Sequence, residues 1–256
     1  MYRPWTKQRR LGGCSKGIEI LTKLMPQLFT WVEVHGASRN QAYNWNSFLV
    51  QDESNSIRTL IDPLPLSANQ IQQIDELGGP THLMLTCAYH ERGLVEFKRR
   101  WDCKVLIHEN QVDEVEFTFD ATFADRDMLW DLLEVMRVPN VRHREEACFY
   151  LKNHKGALII GDLLSGGRKD SGIPDGKVGF NAPEYLVDLD KARLSLRVLL
   201  HFEFDLMCFG HGSPVVRGAK EVLKRFIECD VTWEDLAQRR EEGFRLNPAL
   251  RNLHRT

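Results

Sequence analysis

The stretch Leu83–Arg92 reads LMLTCAYHER: three apolar residues and a threonine, then a cysteine, a tyrosine, a histidine, an acid and an arginine within six positions. A short apolar run of this kind reads as a buried strand, and α/β folds gather their sites at the carboxyl ends of such strands. Two further runs end in the same way. Gly156–Gly161 (GALIIG) is followed by Asp162, and Phe204–Phe209 (FDLMCF) by Gly210-His211-Gly212. A third acid, Asp62, closes TLIDP. An acid or a histidine at the end of an apolar run is costly to bury without a partner. Taken singly, Asp162 reads as a turn cap and His211 as a donor to a backbone carbonyl. Taken together, they read as parts of one site.

The elements around these strands can be read outward. Leu28–His35 (LFTWVEVH), Asn46–Gln51 (NSFLVQ) and Ser56–Asp62 (SIRTLID), the last two separated by Asp52-Glu53-Ser54-Asn55, predict three antiparallel strands. Ser67 predicts a helix cap over Ala68–Leu77, with Gly78-Gly79-Pro80 to end the helix. A strand at His82–Thr86, a helix at Leu94–Trp101 and a strand at Lys104–His108 follow. Met128–Met136 (MLWDLLEVM) looks helical but also admits an apolar strand pair. Ala147–Lys152 and Gly156–Gly161 predict a hairpin around Asn153-His154-Lys155. Residues 165–183, rich in glycine and proline, predict a long loop, of the kind that is usually functional or mobile. An amphipathic helix over Asp188–Leu200, a strand ending at Phe209 and a helix over Gly218–Cys229 complete the pattern. Strands then helices, twice over, predict an α/β (α+β) fold of two facing sheets with helices outside.

Composition sets outer bounds. With 256 residues, 43% hydrophobic and 27% charged, the chain can bury a sizeable core and is neither disordered nor collagenous. A formal charge of −2 gives no general attraction to nucleic acid, which is disfavoured as a partner, and no apolar run approaches a membrane span. Six scattered cysteines without a C-x-x-C pair read as free thiols in a reducing compartment, so a cytoplasmic location is expected. Residues 1–17 carry Arg3, Lys7, Arg9, Arg10 and Lys16 with no acid, and read as a flexible basic arm, with an organelle address as the alternative. Residues 18–230 read as the folded domain. Residues 231–256, with Arg239, Arg240, Arg245, Arg251 and Arg255, read as a solvated helix and tail.

The fragments NSFLV, TLIDP, LMLT, IIGD and FGHGSP, in that order over residues 28–230, resemble the metallo-β-lactamase superfamily. The resemblance implies an αββα four-layer sandwich with its site between the sheet edges. It also implies two divalent metals, commonly zinc, and hydrolysis of thioesters, esters, lactams, lactones or phosphoesters. Where that family carries Thr-His-x-His-x-Asp-His, this chain has Thr86-Cys87-Ala88-Tyr89-His90-Glu91-Arg92. Both paired histidines are replaced, Glu91 stands for the aspartate, and Arg92 stands for the last histidine. The family's Gly-His-Thr-x-Gly turn becomes Val141–Glu146, where His143 lies between two arginines that oppose a cation.

Asp162 and His211 match the family's positions. With Cys87 they make a candidate mononuclear metal site, with His90 as the alternative third ligand, while Arg92 at a former ligand position argues against two metals. The expected cofactor is therefore none, or one divalent metal such as zinc. Two functional readings follow: a hydrolase of esters, thioesters or lactones with a degenerate metal site, or a non-catalytic member that binds a small anionic molecule. In the second, Arg92, with His143 as a further candidate, holds a carboxylate or phosphate, and His90, Asp162 and His211 handle protons. A purely structural alternative pairs Arg92 with Asp162 in a salt bridge.

Overall fold

The computed structural model describes residues 21–35, 43–141, 146–168, 171–180, 186, 188–229 and scattered positions between 234 and 245. The basic arm, His143 and most of the arginine-rich tail lie outside the described residues. The first sheet has seven strands in chain order: β1 (Thr22–Met25), β2 (Leu28–His35), β3 (Tyr43–Gln51), β4 (Arg58–Ile61), β5 (His82–Met84), β6 (Lys104–His108) and β7 (Ala121–Phe123). Strands β1 to β4 pair antiparallel, and β4 to β7 pair parallel. The second sheet contains β8 (Met128–Leu129), β9 (Leu133–Arg137), β10 (Ala147–Leu151), β11 (Ala157–Ile160) and β12 (Leu206–Phe209). Its order is β12-β11-β10-β9-β8, with β11 and β12 parallel.

Alternation along the strands assigns each face. Phe48, Val50, Ile61, Met84 and Leu106 of the first sheet meet Val135, Phe149, Leu151, Ile159 and Cys208 of the second in the central layer. Their chain neighbours point the other way. Leu49, Leu60, Leu83 and Val105 pack on helices α1 (Ala68–Glu76) and α2 (Leu94–Trp101) through Ile74, Leu94 and Phe97. On the far side Cys148, Leu158, Ile160 and Met207 pack on α3 (Leu189–Ser195) and α4 (Ala219–Glu228). Helix, sheet, sheet, helix is the four-layer sandwich, and its sheets are mixed.

Two local expectations are refined. MLWDLLEVM is a strand pair and not a helix, because Trp130 and Asp131 both take positive φ (53° each) and turn β8 back onto β9, with Leu129 opposite Leu133. Every second residue of β9 then faces the core, which a helix at this place would not allow. The helix expected over Asp188–Leu200 stops as an α-helix at Ser195 and tightens into a 3-10 turn over Leu196–His201.

Ser67 does cap α1. Its hydroxyl accepts from Gln70 N–H at 3.3 Å, and Gln70 Oε1 accepts from Ser67 N–H at 2.9 Å, a reciprocal capping box. Ser67→Ala is expected to cost about 1 kcal/mol, read as a lower denaturant midpoint at unchanged slope.

Candidate metal centre

Four strands of the sandwich deliver polar side chains to one edge. Asp62 follows β4, His90 follows β5 after a 3-10 turn (Ala88–His90), Asp162 follows β11, and His211 follows β12. Convergence depends on two glycines. A Cβ at Gly161 would lie 2.3 Å from Thr86 Oγ1, and one at Gly210 would lie 3.2 Å from His90 Cε1 and from the Gly161 carbonyl. At Gly161 only hydrogen lets the strand ends approach so closely, and at Gly210 a Cβ would press on both of its neighbours. Asn46 of β3 adds a stitch between the sheets. Its amide donates at 2.8 Å to the carbonyls of both Phe209 and Gly212, which bracket His211.

His90, Asp162 and His211 form the centre. One ligand atom from each lies within 4.8 Å of the other two. Asp162 Oδ1 stands 2.9 Å from His211 Nε2 and 3.4 Å from His90 Nε2. Both imidazoles are fixed from behind. His90 Nδ1 lies 2.9 Å from Asp62 Oδ2 and 3.0 Å from Thr86 Oγ1, and His211 Nδ1 lies 3.2 Å from the Asn44 carbonyl oxygen. A proton held on Nδ1 by such partners leaves Nε2 as the nitrogen with the inward lone pair. His90 Nε2 is buried and makes no hydrogen bond among the described residues.

Asp62 is the anchor of this arrangement. It is fully buried, adopts φ of 52°, and accepts from Thr86 N–H at 2.8 Å and from Thr86 O–H at 2.7 Å, besides meeting His90. The sequence marks Asp62 only as an acid ending an apolar strand. Its role in orienting His90 becomes visible once β4 and β5 are seen as parallel neighbours.

Charge at the centre follows from burial and proximity. Burial opposes a charge on His90, yet Cys87, Asp62 and Asp162 outweigh it and hold its proton affinity well above the ordinary histidine value. Burial pushes the Asp162 carboxyl up, but His211 and His90 beside it more than reverse this and hold it well below the usual carboxylate range. For His211 burial prevails, and its affinity is lowered. Without an ion the centre thus presents an ionised carboxylate between a His90 that tends to keep a second proton and a His211 that does not; a cation that takes the place of the His90 Nε2 proton would meet a donor set of the N and O type that suits zinc and similar divalent ions. The residues present fit one such metal.

The other expected site residues lie around this centre. Cys87 is buried beside His90 but stands outside the group of converging ligand atoms, and burial pushes its thiol up. Glu91 faces solvent, and Tyr89 is exposed. Arg92 does not pair with Asp162. Its guanidinium lies over the Trp45 ring, 4.5 Å from the centroid, while the Asp162 carboxylate engages the two imidazoles. The cause is geometric: the 3-10 turn points His90 inward, and Arg92, two residues later, reaches β3 instead.

Comparison with known proteins agrees with this architecture. Residues 21–229 match a sequence model of the metallo-β-lactamase superfamily. Among solved structures, the metallo-β-lactamase FIM-1 from Pseudomonas aeruginosa in its mono-zinc form is 15% identical, with a TM-score of 0.60 over 82% of this chain and 94% of that one. A metallo-β-lactamase from Hirschia baltica is 13% identical, with a TM-score of 0.58 over 82% and 96%. TMB-1 is 14% identical, with a TM-score of 0.60 over 87% and 98%. No curated protein matches the chain. Likeness at such identities speaks for the fold alone. The family match runs from β1 to the end of α4 and takes in every strand of both sheets, so the chain belongs to the metallo-β-lactamase superfamily.

Proposed function

We propose that the protein is a hydrolase of esters, thioesters or lactones that works with one divalent metal, such as zinc, held by His90, Asp162 and His211. The observation that carries this reading is the convergence of three ligand atoms within 4.8 Å, with both imidazoles oriented from behind by Asp62 and Asn44. Three protein ligands and an open position are the catalytic arrangement of zinc, whereas a closed structural site needs four. A metal so held would lower the pKa of a bound water and polarise the scissile carbonyl.

The chain's own residues do the rest. Asp62 and the Asn44 carbonyl keep each imidazole in one tautomer and one orientation. Asp162 supplies the negative charge that favours a cation, and its partial exposure leaves the centre open on one side. Relative to the family pattern the site is degenerate, since Cys87 and Tyr89 stand where histidines would supply a second metal. The reducing-compartment reading of the cysteines and the absence of a helix long and apolar enough to cross a membrane, among the described residues, fit a cytoplasmic enzyme.

Elemental analysis of protein purified without chelator tests the proposal. About one zinc, iron or manganese per chain is expected. His90→Ala and His211→Ala should each lose it, with loss of turnover in a panel of thioesters, lactones and simple esters. A protein that stays metal-free after reconstitution with each ion would overturn it.

A further inference from the structure

Asp62 stands in left-handed backbone, with φ of 52°, and Pro63 follows it. Both facts oppose that conformation. A side chain in the left-handed region crowds the following carbonyl, and a proline pushes the residue before it toward extended backbone. Strained backbone of this kind persists only where its surroundings over-determine it. The strain sits at the point on which the centre depends, because the Asp62 carboxylate accepts from Thr86 and faces His90 Nδ1.

The side-chain part of the hold comes from β3. Ser47 is fully buried, and its hydroxyl spans Pro63: it donates to the Asp62 carbonyl and accepts from the Leu64 N–H at 2.8 Å. Pro63 has no N–H to offer, so the turn is gripped through the residues on either side of it. A hydroxyl suits the place because it donates and accepts at once. Backbone bonds complete the hold, from Asp62 N–H to the Met84 carbonyl at 3.0 Å and from Gly93 N–H to the Pro63 carbonyl at 2.8 Å. Two consecutive residues of β3 thus serve the two halves of the centre. The Asn46 amide fixes the carbonyls on either side of His211, and Ser47 fixes the turn that carries the partner of His90. Without the hydroxyl, the Asp62 carbonyl and the Leu64 N–H would be buried without each other's link, and the turn would be free to relax toward extended backbone. That relaxation would swing the carboxylate away from Thr86 and His90.

We propose that Ser47 is a positioning residue for His90: its hydroxyl locks the Asp62–Leu64 turn in the conformation that aims the Asp62 carboxylate at His90 Nδ1, and so fixes the direction of His90 Nε2. The inference deepens the hydrolase reading and rests on it for any effect on a metal, but the lock can be read without an ion.

NMR of the isotope-labelled, metal-free protein reads it directly. Two signals report the carboxylate, the Thr86 N–H and the His90 Nδ1 proton. The Asn46 side-chain amide reports the other half of the centre and serves as the internal reference. In Ser47→Ala the first two should move upfield or broaden while the Asn46 signal stays. Ser47→Thr keeps the hydroxyl and should hold all three near their wild-type positions. Ser47→Cys keeps most of the volume without a strong donor, should behave as alanine does, and supplies the reading if the alanine variant does not fold. Calorimetric titration with zinc follows on the same proteins. Ser47→Ala should weaken zinc binding by about tenfold, the lower end of what outer partners of ligating histidines contribute. The same change made in Asp62→Asn should add less than about twofold, since two residues acting by one route are not additive. Thr86 and His90 signals that stay in place in both the alanine and cysteine variants overturn the inference. So does a shift of all three signals together, which marks general loosening, or a zinc loss of equal size in both backgrounds, which makes Ser47 a packing residue. If no form binds zinc while the Thr86 and His90 signals move alone, the lock stands and the metal reading falls.

Discussion

Asp62→Ala is expected to lower the free energy of unfolding by about 3–5 kcal/mol, the cost of removing one partner from a buried charged network. The size follows from what the carboxylate does. It accepts the Thr86 N–H and O–H and faces His90 Nδ1, all inside a site with no exposure at Asp62. Alanine leaves these groups without an acceptor and must also adopt the left-handed backbone of residue 62, which asparagine and aspartate tolerate better. Asp62→Asn separates the two contributions. It suits the backbone and keeps one carbonyl oxygen, so the stability loss should be smaller. It cannot hold the His90 ring as the carboxylate does, and outer partners of ligating histidines are worth about 10–100-fold in metal affinity. The expected pattern is a near-normal melt with weakened metal uptake for Asn, and both defects for Ala. If Asp62→Ala melts like the wild type, the carboxylate is not the anchor described here.

The parts of this architecture that the sequence made legible share a physical basis. Apolar runs of four to six residues ending in Gly161-Asp162 or Gly210-His211 are legible because burying an acid or a histidine there needs a reason, and glycine beside it announces a close approach. The capping box at Ser67 and Gln70 is local chemistry and was equally readable. MLWDLLEVM was not, because its apolar spacing serves both periods. The decision was made by two consecutive positive-φ residues, Trp130 and Asp131, neither of which is a glycine.

The centre was harder than the fold. Counting along Thr86–Arg92 against the family motif gives the ligand places to Cys87 and Tyr89. In the structure a single 3-10 turn, closed by His90 N–H to the Cys87 carbonyl at 3.1 Å, rotates the segment so that His90 faces Asp162 and Tyr89 faces solvent. Register on a turn cannot be read from spacing, since one residue more or less in the turn exchanges the inward and outward side chains. The same rotation carries Arg92 to Trp45, a residue 47 positions earlier that no local pattern connects to it.

Asp162→Ala should remove metal binding and turnover together, and a thermodynamic linkage tells this loss from simple unfolding. A ligand that binds only the folded state stabilises it by about 4 kcal/mol when present at a thousand times its Kd. Zinc should therefore raise the melting temperature of the wild type by several degrees and leave Asp162→Ala where it was. Without metal the variant is also expected to be weaker, because His90 and His211 lose the carboxylate that both face. That cost should be modest, about 1–3 kcal/mol and below the 3–5 of a fully buried pair, since the Asp162 side chain keeps 19% of its exposure and water screens part of the interaction. Asp162→Asn sharpens the comparison by keeping the shape and removing the charge. It should lose most zinc affinity while unfolding close to the metal-free wild type. A zinc-induced shift of equal size in wild type, Asn and Ala forms would place the ion elsewhere on the chain. A large drop in metal-free stability with no zinc response in any form would make His90, Asp162 and His211 a structural ion-pair cluster and end the hydrolase reading.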